Sequence, residues 1–164
     1  MAERTIQPLF ELAINWETQA HDLYVNFANL FNHEPKVSAF WIRLSQDESR
    51  HIDVLKDTLE MMPKENLLTE VGIEQWNSVS RVERLMKDAS MSKVKTLDDA
   101  YELAHQLEIS EVNTLFKFLV NNYFPDERGQ KFILSEVSEH VERLTRFGRE
   151  YTQSHRRLIN TRSI

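Results

Sequence analysis

No cysteine occurs among the 164 residues. That excludes disulfides, zinc–thiolate sites, iron–sulfur clusters and iron held by thiolates. The same lack fits a reducing compartment, and a cytoplasmic location is expected. Only 3 glycines and 4 prolines are present, and long stretches run without either. Such scarcity argues against an all-β or α/β fold and for long helices. The sequence has no glycine-rich phosphate loop and no useful length of strand-like alternation. No apolar run approaches a membrane span, and the first residues lack a signal-peptide core, so no membrane partner is expected. The formal net charge is -6, with basic side chains scattered until the C-terminal tail. Nucleic acid is therefore not an expected partner. The length suffices to bury a real core, and residues 1–164 are read as one domain.

What is present is helical periodicity. A first helix is expected from about Ile6 to Phe31, with Phe10, Ala13, Glu17, Ala20, Tyr24, Phe27 and Phe31 on one face. Pro35 suits the first turn of a second helix, and Pro63 ends it after Met62. Val71 to Met86 reads as a shorter helix around Ile73, Trp76, Val79, Val82 and Leu85. A third long helix is expected from Thr96, where Asp99 resembles the partner in a capping box, to Tyr123, with Pro125 as the break. Its face carries Ala100, Ala104, Leu107, Glu108, Glu111, Leu115 and Phe118. A fourth starts near Asp126, shows Ile133, Val137, His140, Leu144, Phe147 and Tyr151, and runs into the basic tail around Arg157. The expectation is an all-α chain of four antiparallel helices with one long crossover between the second and third. Trp76 and the aromatic run at 115–124 exceed what one stripe needs, so a homodimer is expected.

The second helix carries the informative anomaly. Its apolar stripe is Val37, Phe40 and Trp41, Leu44, Glu48, His51, Leu55, Leu59 and Met62. A carboxylate and an imidazole on a core face are costly unless burial is compensated. At this spacing both side chains aim at one point, as metal-binding helical bundles require. Glu102-Leu-Ala-His105 repeats the spacing but flanks its helix's stripe, so position on the apolar face separates the two matches. The chain also repeats itself. Glu17 precedes Glu48 by about the distance that Glu108 precedes Val137, and His51 and His140 are each followed four residues on by leucine.

These motifs resemble the rubrerythrin branch of the ferritin-like superfamily. Glu17-Thr-Gln-Ala20 followed by Tyr24 is similar to the first-helix pattern, and Glu48-Ser-Arg-His51 matches the second-helix ligand pair. Glu108-Ile-Ser-Glu111 resembles the third-helix Glu-x-x-Glu. The fourth helix departs, with Val137-Ser-Glu-His140 where the family has Glu-x-x-His. Glu136 lies four before His140 and is the nearest substitute. The chain also has no cysteines for the electron-transfer domain of full-length rubrerythrins.

The resemblance implies a ferritin-like four-helix bundle. Its metal ligands would be drawn from Glu17, Glu48, His51, Glu108, Glu111, Glu136 and His140, with iron as the metal. Two irons, one iron, or a site that has lost its metal all stay open. The activity implied is peroxide reduction or iron oxidation with an external electron donor. The alternative is a non-catalytic binding or oligomeric scaffold whose inward carboxylates pair with histidines. Because Val137 removes one bridging carboxylate, tighter binding is expected at Glu17, Glu48 and His51 than at Glu108 and His140. Any activity should then be low, and Val137→Glu should raise it.

Overall fold

The computed structural model describes residues 4–153. They form α1 (Ile6–Leu30), α2 (Pro35–Met61), α3 (Lys64–Leu67), α4 (Ile73–Asp88), α5 (Leu97–Glu108), α6 (Glu111–Tyr123) and α7 (Glu127–Tyr151). A short 3₁₀ turn, Met91–Lys93, joins α4 to α5. No β-strand occurs among the described residues; an isolated bridge joins Thr5 to Glu70. None of the described helices is long and apolar enough to cross a membrane. The basic tail from Ser154 onward lies outside the described residues.

Helix boundaries follow local chemistry. Pro35 opens α2, where a missing N–H costs nothing. Thr96 and Asp99 form a reciprocal capping box at the start of α5. Asp126 accepts from the backbone of Arg128 and Gly129 to start α7.

The expectation of one unbroken third helix is corrected. α5 ends at Glu108, and α6 starts again at Glu111. Two side chains make the break. Ser110 caps α6 by accepting from the Val112 N–H at 3.2 Å. The Asn113 amide donates to the Glu108 carbonyl at 2.7 Å, taking the place of a backbone donor.

α1 and α2 pack along their length as a hairpin. α6 touches α1, α2, α4, α5 and α7, while α5 packs on α7. Residues 62–96 carry the chain from the end of α2 to the start of α5, and within them α4 lies against α6. Close approach of α5 and α7 depends on Gly148. A Cβ there would meet the fully buried Tyr101 ring at 2.3 Å.

The core is one apolar cluster of side chains from α1, α2, α4, α5, α6 and α7. Trp41 is its aromatic hub, stacked on Tyr24 at 5.8 Å and edge-on to Phe27 at 4.9 Å. The aromatic run at 115–124 is drawn into this core. Leu115, Phe116, Leu119 and Val120 are buried, and Trp76 is half-buried on α4.

Candidate metal centre

Polar side chains interrupt the core at one level. Glu17 comes from the middle of α1, and Asp47, Glu48 and His51 from the middle of α2. Glu108 ends α5, and His140 lies midway along α7. All six are buried, with His140 only 1% exposed and Glu48 only 2%. Helical periodicity put them there: each occupies a turn of its apolar stripe.

The side chains form two groups that share a member. In the first, His51 Nδ1 lies 3.0 Å from Glu48 Oε2 and 3.5 Å from Glu17 Oε2. In the second, His140 Nε2 lies 2.9 Å from Glu108 Oε1 and 3.2 Å from Glu48 Oε1. Each group can hold a metal ion, with its ligand atoms within 4.8 Å of one another. Glu48 belongs to both, one oxygen facing each histidine. Ligands about 2.1 Å from one ion sit roughly 3 Å apart at right angles, so the spacing suits a cation. Ligand count therefore does not separate the halves: each offers three residues. Val137 is buried and offers no ligand atom.

Two unpaired atoms fit the same reading. Glu17 Oε1 and His140 Nε2 are buried without an aligned hydrogen-bond partner. The two carboxylate oxygens near Nε2 are in reach but off its hydrogen-bonding direction. Orphaned buried polar atoms are costly, and a metal would satisfy both.

Neighbouring residues orient the donors. Tyr24 donates its hydroxyl to Glu108 Oε1 at 2.5 Å, and Asn113 donates to Glu108 Oε2 at 3.1 Å. On the far side of the His140 ring, Nδ1 lies 3.2 Å from Asp47 Oδ2. Asp47 is clamped in turn by Arg143, at 2.5 Å, and by Arg50. This carboxylate–histidine pair leaves Nε2 facing the cluster, as in many metal centres. The His51 ring lies 4.7 Å from that of Phe116.

Burial and charge pull the ionisations apart. Burial lowers the His140 imidazole, but the charges of Glu108 and Glu48, the hydrogen bond with Asp47 and the close approach of Glu108 raise it to about 10. Burial raises Glu108, yet the charge and close approach of His140 and hydrogen bonds from Tyr24 and Asn113 hold it at about 2. Burial, with the carboxylates of Glu17 and Glu108, pushes Glu48 well above the ordinary range against the charge of His140. For His51, burial is outweighed by Glu17, and the imidazole is raised. Without a cation, burial favours the neutral form of Glu48, and the flanking acidic groups favour the charged form of His140.

No family model, curated protein or solved structure matches this chain. What can be said of the site rests on its geometry.

Five of the seven residues expected from the sequence meet in the cluster: Glu17, Glu48, His51, Glu108 and His140. Two do not. Glu111 lies past the break between α5 and α6 and turns outward to Arg81, with contacts of 2.7 and 2.8 Å. Glu136 faces Arg50 at 3.7 Å with its side chain 31% exposed, and it belongs to neither Glu–Glu–His group. Glu102 and His105 are half-buried outside the cluster, and the His105 ring lies beside Tyr101.

Sequence reasoning missed Asp47, Asn113 and Arg143. Asp47 had a legible signal, lying three residues after Leu44 and four before His51 on the same stripe. Asn113 had none, because its role depends on the helix break.

Proposed function

We propose that this chain is a ferritin-like bundle of the rubrerythrin type, holding two metal ions at adjacent sites that share Glu48. The observation that carries the proposal is the pair of buried Glu–Glu–His groups with one carboxylate in common. Their donors follow the family's order along the chain: Glu17, then Glu48 with His51, then Glu108, then His140. Carboxylate and imidazole donors without thiolate suit iron, which is the proposed metal. The proposed reaction is reduction of peroxide to water, or oxidation of iron(II) with dioxygen or peroxide as the electron acceptor. An external donor supplies electrons for peroxide reduction, since the chain has no cysteine for a thiolate-held electron carrier. We extend the proposal to a cytoplasmic homodimer.

Bound iron would supply one-electron chemistry and Lewis acidity. The chain's own residues do the rest. Glu48 spans the two positions. Asp47 accepts from Nδ1 of His140 and so directs Nε2 inward. Tyr24 and Asn113 hold Glu108 from two sides. Phe116 and the surrounding apolar side chains keep bulk water from the donors.

A second reading has its own observation. His140 lies between Glu48 and Glu108 with Asp47 behind it, so its positive form offsets acidic charge in the cluster without a metal. That favours a scaffold with a relic site. Elemental analysis of protein made in iron-rich medium separates the two. Two irons per chain, with absorbance that changes on oxidation, support the proposal. Metal-free protein after the same preparation supports the scaffold.

A further inference from the structure

The carboxylate side of the cluster opens onto a small cavity of ≈ 10 Å³ whose lining includes Glu17, Glu48, Glu108, Met86 and Val112. That is room for about one water-sized occupant. Into this space faces Glu17, whose Oε1 is buried and without a partner. Met86 comes from α4, a helix of the crossover that contributes none of the donors. A separate hollow of ≈ 230 Å³ is lined by Arg81, Val82, Leu85, Ser110 and Glu111. Its Leu85 and Glu111 are the chain neighbours of Met86 and Val112. α4 and α6 contribute to the linings of both the cavity and the hollow.

α4 is held lightly. Of its 16 residues only Val79, Val82 and Met86 are buried, whereas α6 buries five of 13. Its N-terminus has no side-chain cap. Few buried apolar contacts mean a low cost of local opening. One polar clasp crosses to α6: Arg81 Nε reaches both Glu111 oxygens, at 2.7 and 2.8 Å.

We propose that α4 is a latched cover over the candidate metal centre, and that a divalent cation enters beneath it when the Arg81–Glu111 clasp releases. This rests on the metal-binding reading above. It gives Glu111 a role at the entrance rather than in the coordination shell. Met86 and Val112 form the inner constriction, and Glu17 Oε1 is the first unpaired donor behind it. Opening changes the rate of loading and leaves the loaded site unchanged.

The test follows Co²⁺ uptake by the metal-free full chain through visible absorbance, alongside hydrogen exchange of the α4 amides. Glu111→Gln breaks the clasp. An exposed ion pair of this kind alters the open fraction about 2- to 5-fold, so uptake and α4 exchange should rise by that factor with stoichiometry unchanged. The absence of native cysteine allows the converse experiment. Arg81→Cys with Glu111→Cys, bridged by a short bis-maleimide, should load more slowly than the unbridged double variant. Lys131→Gln, which removes an exposed pair with Glu127 on α7, is the control and should load at the unmodified rate. Co²⁺ binding at one rate in the unmodified, Glu111→Gln and bridged proteins would overturn the cover while leaving the metal site standing. Failure of the unmodified chain to bind Co²⁺ at all would overturn both.

Discussion

His140 presents one ring nitrogen to Asp47 and the other to Glu48 and Glu108, and this dictates a pH response. Its imidazole is raised from 6.5 to about 10 in the folded chain. A group raised by folding contributes its stability in full below its unfolded value and loses it as pH rises through its folded value. Metal-free protein should therefore become steadily less stable between about pH 6.5 and 10. Urea unfolding at several pH values after chelation checks this, and His140→Gln should flatten the slope. Metal-loaded protein should show the opposite trend, because a ligand nitrogen must lose its proton. Asp47 gives a second residue-scale expectation. Asp47→Asn keeps the shape but leaves Arg50 and Arg143 without their buried counter-charge. It should cost about 2–4 kcal/mol of stability in the metal-free chain. The imidazole carbon and nitrogen shifts of His140 should also report a changed tautomer population by NMR. At this scale the sequence was partly legible. Glu17, Glu48, His51 and His140 stood out because ionisable groups on apolar stripes are anomalies. Glu111 misled because its spacing from Glu108 assumes an unbroken helix.

At the scale of elements, the breaks written in proline and in the Thr96 capping box were readable because their chemistry is local. The interruption at Ile109 and Ser110 was not. Leu107 and Leu115 flank it at helical spacing, and serine is tolerated inside helices often enough to hide a cap. What decides the matter is Asn113, whose amide takes the Glu108 carbonyl across the gap. The consequence is functional geometry. Glu108 sits on the last residue of α5, where Asn113 can also hold its carboxylate, while Glu111 turns outward to α4. The packing of α5 on α7 supplies an element-scale test. Gly148→Ala places a methyl group where the buried Tyr101 ring already lies. It should destabilise the fold by about 1–3 kcal/mol through overpacking. A helix interior would otherwise gain from the same change, so thermal unfolding gives an unambiguous sign.

For the molecule as a whole, the all-helical class followed from what the sequence lacks, and the inward donors followed from its stripes. The crossover was legible as a connection but not as a cover, since nothing in residues 73–88 announces which surface they pack against. The burial of Leu115, Phe116, Leu119 and Val120 within the chain was not legible for the same reason: the sequence does not show that α4 lies against α6. For the proposed homodimer, light scattering across micromolar concentrations is the test: a dimer supports it and a monomer refutes it. The central claim is that one carboxylate, Glu48, serves two metal positions at once. Calorimetric titration of the metal-free chain with Co²⁺ tests it most directly, comparing the unmodified protein with Glu17→Gln, Glu108→Gln and Glu48→Gln. The account predicts two ions for the unmodified chain, one retained by each of the first two variants, and loss of both in Glu48→Gln. Two ions bound by Glu48→Gln, or none by the unmodified chain, would contradict it.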